Sequence, residues 1–149
     1  MKIDLLDHPI EQAECDIVLF PLGKNEPAPG MLPEELKAID WRLNGSITKW
    51  MERFQGIFPV HQGILIPTGG FALSRYVALF RAGEGRSMES VLDGIEWERL
   101  AIQFRSDVNF PTILKWLLSY MNSNVKRDGK VIQIFGLPDT EKKRLKIPR

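Results

Sequence analysis

Cysteine and histidine are scarce in this chain, which has one cysteine, Cys15, and two histidines, His8 and His61, in 149 residues. A lone cysteine excludes an internal disulfide framework and cannot build a thiolate metal site by itself. It lies beside an apolar run and is expected to be an inert small hydrophobe. The two histidines are far apart in sequence and have no further ligand at metal spacing. We therefore predict no metal and no cofactor, and a reducing cytoplasm as the compartment.

An excess of charge of either sign is also lacking. The 20 basic and 19 acidic side chains nearly cancel, which leaves a formal net charge of +1. A nearly neutral protein has no global field to attract nucleic acid or an anionic membrane. We therefore expect neither of them as a partner.

Long hydrophobic runs are absent as well. The longest apolar patch, residues 110–121, is interrupted by Lys115 and is too short to span a bilayer. The first seven residues carry charges at short intervals and do not resemble a secretory signal. Hydrophobic residues make up 44% and charged residues 26% of the chain, the balance of a soluble globular protein. These features predict one packed intracellular domain over residues 1–149.

Strand-like and helix-like patterns alternate along the chain. Helical patterns cover three segments: residues 33–54, a segment that Ser87 would cap, and residues 111–121. The first of them has a weak point at Asn44-Gly45. The apolar runs typical of strands are residues 2–6, 16–22, 63–67, 75–80, 100–104 and 130–135. This alternation predicts an α/β fold in three layers, with a mixed sheet of about six strands and helices on both faces. Residues 141–149 are rich in Lys and Arg and are expected to form a flexible basic tail.

One signature connects the chain with a known family. The run Asp40-Trp41-Arg42-Leu43-Asn44-Gly45, together with the strand-like segments before and after it, resembles the amino-terminal domain of M17 leucyl aminopeptidases. The resemblance implies a macro-domain-like fold and a role in assembly or in another protein interaction. The Asn-Thr-Asp-Ala-Glu-Gly-Arg run of the family's two-metal catalytic half does not occur here. The resemblance therefore implies a stand-alone domain that is not an enzyme and that associates with itself or with another protein.

A glycine-containing loop is the candidate for a different function, the binding of a phosphate-containing small molecule. Gly83, Gly85, Arg86 and Ser87 lie between a predicted strand and a predicted helix, where backbone N–H groups and the helix dipole can converge on an anion. Arg86 adds a charge-assisted contact in this interpretation. The alternative is a plain strand-to-helix turn, because a short Gly-x-Gly is common.

Asp16 is the second candidate ligand-binding residue. Macro domains that bind ADP-ribose usually carry an Asn-Ala-Ala-Asn-like run after the strand that begins Asp-x-Ile-Val, and this chain has Asp16-Ile17-Val18 without that run. The resemblance thus places Asp16 where an adenine-contacting acid lies, and the alternative is a carboxylate at the end of a loop.

Trp41 is the candidate interface residue. All four tryptophans fall in predicted helices, where packing against the sheet is the default. Trp41 lies off the apolar stripe of its helix, whereas Leu43, Ile47 and Trp50 are predicted to be buried. It therefore packs sideways under the 23–33 loop or belongs to a contact surface.

Overall fold

The computed structural model describes residues 1–23, 32–53, 63–83, 85–124 and 129–144. Six strands and five α-helices follow one another, and a short 3-10 helix, Ile10–Gln12, lies after the first strand. Within the described ranges, none of the helices has the length and apolar character needed to cross a bilayer. The elements are β1 (Lys2–Leu6), β2 (Ile17–Leu22), α1 (Glu34–Arg42), α2 (Ser46–Arg53), β3 (Ile64–Pro67), β4 (Tyr76–Arg81), α3 (Gly85–Leu92), β5 (Arg99–Gln103), α4 (Phe110–Asn124), β6 (Val131–Phe135) and α5 (Asp139–Arg144).

The strands form one mixed sheet in the order β1-β6-β5-β2-β4-β3. All neighbouring pairs are parallel except β3 and β4, which run antiparallel. In the centre of the sheet, Ile17 of β2 lies opposite Tyr76 of β4, and Leu22 lies opposite Arg81. The predicted α/β class with a mixed six-stranded sheet is confirmed.

Two apolar cores hold the layers together, one on each face of the sheet. Alternate residues of β2 point to opposite faces: Leu19 belongs to the core beneath α3 and α4, and Phe20 to the core beneath the 3-10 helix, α1 and α2. Every residue of β2 is buried, as expected for a central parallel strand. Helices therefore cover both faces, as predicted.

The predicted helix over residues 33–54 is two helices. It is interrupted at Asn44 and Gly45, which adopt φ angles of 58° and 79°, in the left-handed region that ends an α-helix. The weak point was predicted, but the full break was not. Leu43 and Ile47 are buried as expected, whereas Trp50 is only half-buried. Residue 54 lies outside the described residues.

Two further expectations about local structure were wrong. Helix α3 begins at Gly85, so Ser87 lies inside its first turn and is not the cap. Trp97 lies in the segment before β5, where it is buried, and not in a helix. Part of the expected tail, residues 141–144, belongs to α5, in which Lys142 lies 3.4 Å from the carboxylate of Asp7. Residues 145–149 lie outside the described part of the chain.

Candidate functional sites

The corner between α1 and α2 is organised by Asp40. Its carboxylate accepts hydrogen bonds from the backbone N–H of Ile47 at 2.7 Å and of Thr48 at 3.2 Å, and from the Thr48 hydroxyl at 2.6 Å. The first turn of a helix has N–H groups without intrahelical partners, and a side-chain oxygen stabilises it by accepting from them. Asp40 of α1 thus caps α2 from seven residues upstream.

The rest of the corner follows from the same signature. Leu43 is 2% exposed and packs in the core below α1, and the Ser46 hydroxyl donates to its carbonyl oxygen at 2.6 Å. Asn44 and Gly45 supply the left-handed conformations, for which these residue types carry the least steric cost. The fold therefore accounts for Asp40, Leu43, Asn44 and Gly45 of the signature, but not for Trp41 and Arg42.

Trp41 is 86% exposed, the largest fraction among the exposed large apolar side chains of the described residues. It borders a groove of about 610 Å³ between the last turn of α1 and the start of α2. Leu32, Lys37 and Thr48 also line this groove. Of the 23–33 loop the structure describes only residues 23, 32 and 33. The described chain therefore leaves the Trp41 ring open, on a corner that Asp40 holds in place.

The 83–87 loop is only partly available for a ligand. Gly83 and Arg86 are exposed, and α3 starts at Gly85 next to the end of β4. Ser87, in contrast, is 0% exposed, and its Oγ accepts the backbone N–H of Arg81 at 3.3 Å. The Ser87 hydroxyl thus anchors α3 to the sheet, and it does not face an incoming anion.

Two arginines near this loop did not emerge from the sequence as candidates. Arg81, the last residue of β4, donates to the Gly23 carbonyl oxygen at 2.6 Å, and Arg105 donates to the Pro21 carbonyl oxygen at 3.0 Å. Arg105 is 6% exposed, lies over the Phe20 ring at 5.1 Å and pairs with Asp107 at 3.2 Å. Each arginine follows an apolar strand run at the carboxyl edge of the sheet, where open α/β sheets bind ligands. That position in the sequence could have identified both arginines as candidate site residues.

Asp16 lies at the opposite end of the sheet from the 83–87 loop. It precedes β2, whereas Gly83 follows β4 beyond the far end of β2, about 20 Å away at roughly 3.3 Å per residue. Asp16 Oδ2 accepts the N–H groups of Glu98 and Arg99 at 2.8 Å and 3.0 Å. The structure therefore does not bring Asp16 and the 83–87 loop into one site.

The surroundings of Asp16 determine its ionisation. Burial opposes the charged form, but the N–H groups of Arg99 and Glu98 and the charges of Arg75 and Lys130 outweigh it, and the pKa of the carboxyl is lowered. Arg75 lies 3.8 Å from Oδ1. Asp16 thus ties the start of β5 to β2 as a structural carboxylate.

A cleft of about 710 Å³ surrounds Asp16, and its principal polar groups are engaged with one another. The Tyr120 hydroxyl donates to Asp93 at 2.6 Å. The Lys130 ammonium donates to the Trp97 carbonyl oxygen and lies 4.7 Å from the centre of the Trp97 ring. These pairs engage Tyr120, Asp93 and Lys130 within the fold.

The cysteine and histidine positions agree with structural roles. Cys15 is buried, its thiol donates to the Ile17 carbonyl oxygen at 3.5 Å, and burial is the main cause that raises its pKa to about 12. His8 packs edge-on against Phe135 at 5.1 Å, and His61 lies outside the described residues. Among the residues that the structure describes, no three His, Cys, Asp or Glu side chains group in a way that could hold a metal ion.

The fold is shared with known structures. No protein-family model matches this sequence, and no curated protein matches it either. A mutant of tomato leucine aminopeptidase aligns with a TM-score of 0.67 at 13% identity, over 96% of this chain and 34% of that chain. The DarG macrodomains of Mycobacterium tuberculosis and Thermus aquaticus align with TM-scores of 0.65 and 0.64 at 10% and 7% identity, over 89% of this chain and 96% and 97% of theirs.

The chain thus spans about a third of the aminopeptidase and nearly all of each macrodomain. At these identities the similarity concerns the fold. The predicted macro-domain-like fold, and the resemblance to the aminopeptidase amino-terminal domain, are confirmed.

Proposed function

We propose that this chain is a protein interaction module, and that Trp41 is the centre of its contact surface. The observation that carries the proposal is the 86% exposure of a tryptophan on a corner where the fold holds Asp40, Leu43, Asn44 and Gly45 of the same signature. Tryptophan is the side chain most enriched among residues that dominate binding energy, since it buries a large area with little loss of conformational freedom. The partner is a second copy of the chain or another protein.

The rigidity of the corner also supports this function. A side chain held on a fixed support loses less conformational entropy on binding than one on a mobile loop. Asp40, the left-handed turn at Asn44 and Gly45, and the buried Leu43 fix the backbone on both sides of Trp41. A specific contact centred on this ring should bury at least about 1,000 Å² in total.

We propose further that the module is non-catalytic. Its carboxylates with defined contacts serve the fold: Asp40 caps α2, Asp16 binds the backbone of β5, and Asp93 accepts from Tyr120. The raised pKa of Cys15 keeps its thiol protonated, which is unfavourable for a nucleophile. A buried, unpaired cysteine also fits a reducing compartment such as the cytoplasm.

The test compares wild type with Trp41→Ala and with Phe71→Ala, which removes another exposed aromatic ring, 65% exposed, from the loop between β3 and β4. Sedimentation velocity over a concentration series measures self-association, and capture from cell extract measures other partners. Loss of an anchor of about 2 kcal/mol or more should weaken association about 30-fold. Phe71→Ala should associate like wild type.

Both variants should stay folded, because substitution of an exposed side chain changes stability by about 0.5 kcal/mol or less. Far-UV circular dichroism and thermal melting check this point. The proposal is abandoned if wild type is monomeric at high concentration and no Trp41-dependent partner is captured. It is also abandoned if Trp41→Ala is unfolded.

A second function is favoured by the arginines at the carboxyl edge of the sheet. Arg86 is exposed in the first turn of α3, and Arg81 and Arg105 hold the end of β2 close by. Guanidinium groups and a helix N-terminus suit a phosphate-containing ligand of the ADP-ribose type. Calorimetric titration with ADP-ribose and with inorganic phosphate tests this candidate. Binding that is equal in wild type and Arg86→Ala would remove Arg86 from the site.

A further inference from the structure

A groove of about 490 Å³, with both polar and apolar lining, lies on the face of the sheet that carries α1 and α2, over the β5 and β6 strands. Six separate segments converge on it, among them the end of β1 with Leu6 and His8, which makes it a product of the fold and not of one loop. Arg42 comes from the end of α1, Leu73 from the loop between β3 and β4, Arg99 from the start of β5, Gln133 from the middle of β6, and Glu14 from the segment after the 3-10 helix. Its volume falls in the range of small-ligand sites.

Gln133, one of the residues that line the groove, has an acceptor without a donor. Gln133 Oε1 is buried and has no hydrogen-bond partner, and it is the one such side-chain atom among the described residues. Its cross-strand neighbours cannot supply a donor, because Ala101 is apolar and the Asp4 carboxylate is an acceptor that lies 3.5 Å from Lys2. A buried carbonyl oxygen without a donor is destabilising, so a turn of the Gln133 amide towards the groove, where its oxygen can meet a ligand N–H, would be favourable.

The walls of the groove carry charges that the fold does not use. Arg42, Arg99 and Glu14 are exposed, and within the described ranges none of them forms an ion pair. Glu14 therefore lies more than 4.0 Å from both guanidinium groups, although all three line the same groove. Positive and negative groups held apart in this way are complementary to a ligand that carries both charges.

These groups together define the chemistry of the occupant. Guanidinium groups bind carboxylates through paired hydrogen bonds, the Gln133 oxygen needs an N–H donor, and Leu73, 57% exposed, offers apolar contact at the rim. We propose that the groove binds an α-carboxylate with an adjacent N–H and an apolar side chain. Either the last residue of a peptide or a free apolar amino acid carries this chemistry. The proposal is independent of the Trp41 surface.

The experiment titrates three probes into ¹⁵N-labelled protein and follows the amide chemical shifts. Acetyl-alanyl-leucine has the carboxylate and the N–H, its carboxyl-terminal amide lacks the carboxylate, and free leucine has an ammonium in place of the acylated nitrogen. We expect saturable shifts for the acid around β5 and β6, and binding of the amide weaker by about tenfold or more. Equal binding of acid and amide, or no shift up to about 10 mM acid and leucine, overturns the proposal.

Point variants test which side chains of the groove contact the ligand. Arg99→Met should weaken acid binding about tenfold, whereas Arg144→Met, a matched loss of an exposed arginine at the end of α5, should not change it. Gln133→Met should weaken binding and yet melt at or above the wild-type temperature, because it removes an unpartnered buried oxygen at similar volume. If Arg144→Met weakens acid binding as much as Arg99→Met, or if Gln133→Met leaves acid binding unchanged, the site is not this groove.

Glu14→Gln distinguishes the two sources of the ligand. If free leucine is the ligand, the variant should bind leucine more weakly than wild type and acetyl-alanyl-leucine equally well. If a peptide terminus is the ligand, acetyl-alanyl-leucine should bind more tightly than leucine, and the substitution should have little effect. Either result supports the carboxylate site and identifies its source.

Discussion

The Asp40→Ala substitution tests whether one carboxylate holds the α1–α2 corner. The substitution removes three hydrogen bonds at once, those from Ile47 N–H, Thr48 N–H and the Thr48 hydroxyl. It leaves the apolar contacts of Leu43 and Ile47 in place. Any loss of stability therefore reports on the cap and not on a core cavity.

The expected magnitude follows from the geometry. Loss of a side-chain cap costs about 0.5–2 kcal/mol, and Asp40 combines a 2.7 Å backbone bond with two bonds that lie in exposed surroundings. We therefore expect Asp40→Ala to lower the free energy of unfolding by about 1–2 kcal/mol. With an unfolding entropy of about 2.1 cal/mol/K per residue, a chain of this length should melt roughly 3–6 °C lower.

Urea unfolding followed by far-UV circular dichroism measures the effect as a midpoint lower by about 0.5–1 M. Asp40→Asn keeps one acceptor oxygen and should be intermediate. Glu52→Ala removes an exposed carboxylate from α2 itself and should change stability by about 0.5 kcal/mol or less. If Asp40→Ala unfolds at the wild-type midpoint, or if Glu52→Ala loses as much stability as Asp40→Ala, the cap does not hold the corner.

Three other outcomes are expected. Gly63→Ala should lower the free energy of unfolding, measured in urea, by about 1–3 kcal/mol, because its Cβ would lie 2.6 Å from the Ser87 carbonyl oxygen and 2.5 Å from Val91 Cγ1. Gly83→Ala has open space around the new Cβ and should leave stability nearly unchanged. Asp16→Asn should be less stable than wild type by about 1–3 kcal/mol at pH 7. Because the folded pKa of Asp16 is lowered, this difference is fully present above the unfolded value of about 3.9 and should vanish as pH falls through the folded pKa. The chain should release no leucine from chromogenic substrates with or without zinc or manganese, and metal-dependent turnover lost on carboxylate mutation would contradict that expectation.

The sheet could be predicted because its strands have a simple physical signature. A strand buried on both faces is a continuous apolar run, and residues 17–22 are such a run. The weak point of the helix was visible as Asn44-Gly45, but neither the full break nor the cap of the second helix by Asp40 was, since that bond joins residues seven positions apart across a turn. Helix α3 was misplaced because Ser87 is a good capping residue by type, yet tertiary packing buries its hydroxyl against Arg81.

The sites were less predictable than the fold for a related reason. Asp16 and the 83–87 loop could be proposed one at a time, but only the parallel register of β2 and β4 shows that they lie at opposite ends of the sheet. The groove lined by Arg42, Arg99 and Gln133 is assembled from segments far apart in sequence, and a glutamine in the middle of an apolar strand gives no local sign that its oxygen lacks a partner. Trp41 is the exception, because its position off the helical stripe was already readable in the sequence.

The two outer strands limit how copies of this fold can join. An unprotected edge strand invites another chain to add a strand of its own, which is a common route to aggregation and to fibres. Here β3 is four residues long and ends at Pro67, which has no N–H to donate, and β1 carries a charged pair, Lys2 and Asp4, 3.5 Å apart. Growth of the sheet by strand addition is disfavoured at both margins, so the association that we propose would use side-chain surfaces such as the one that carries Trp41.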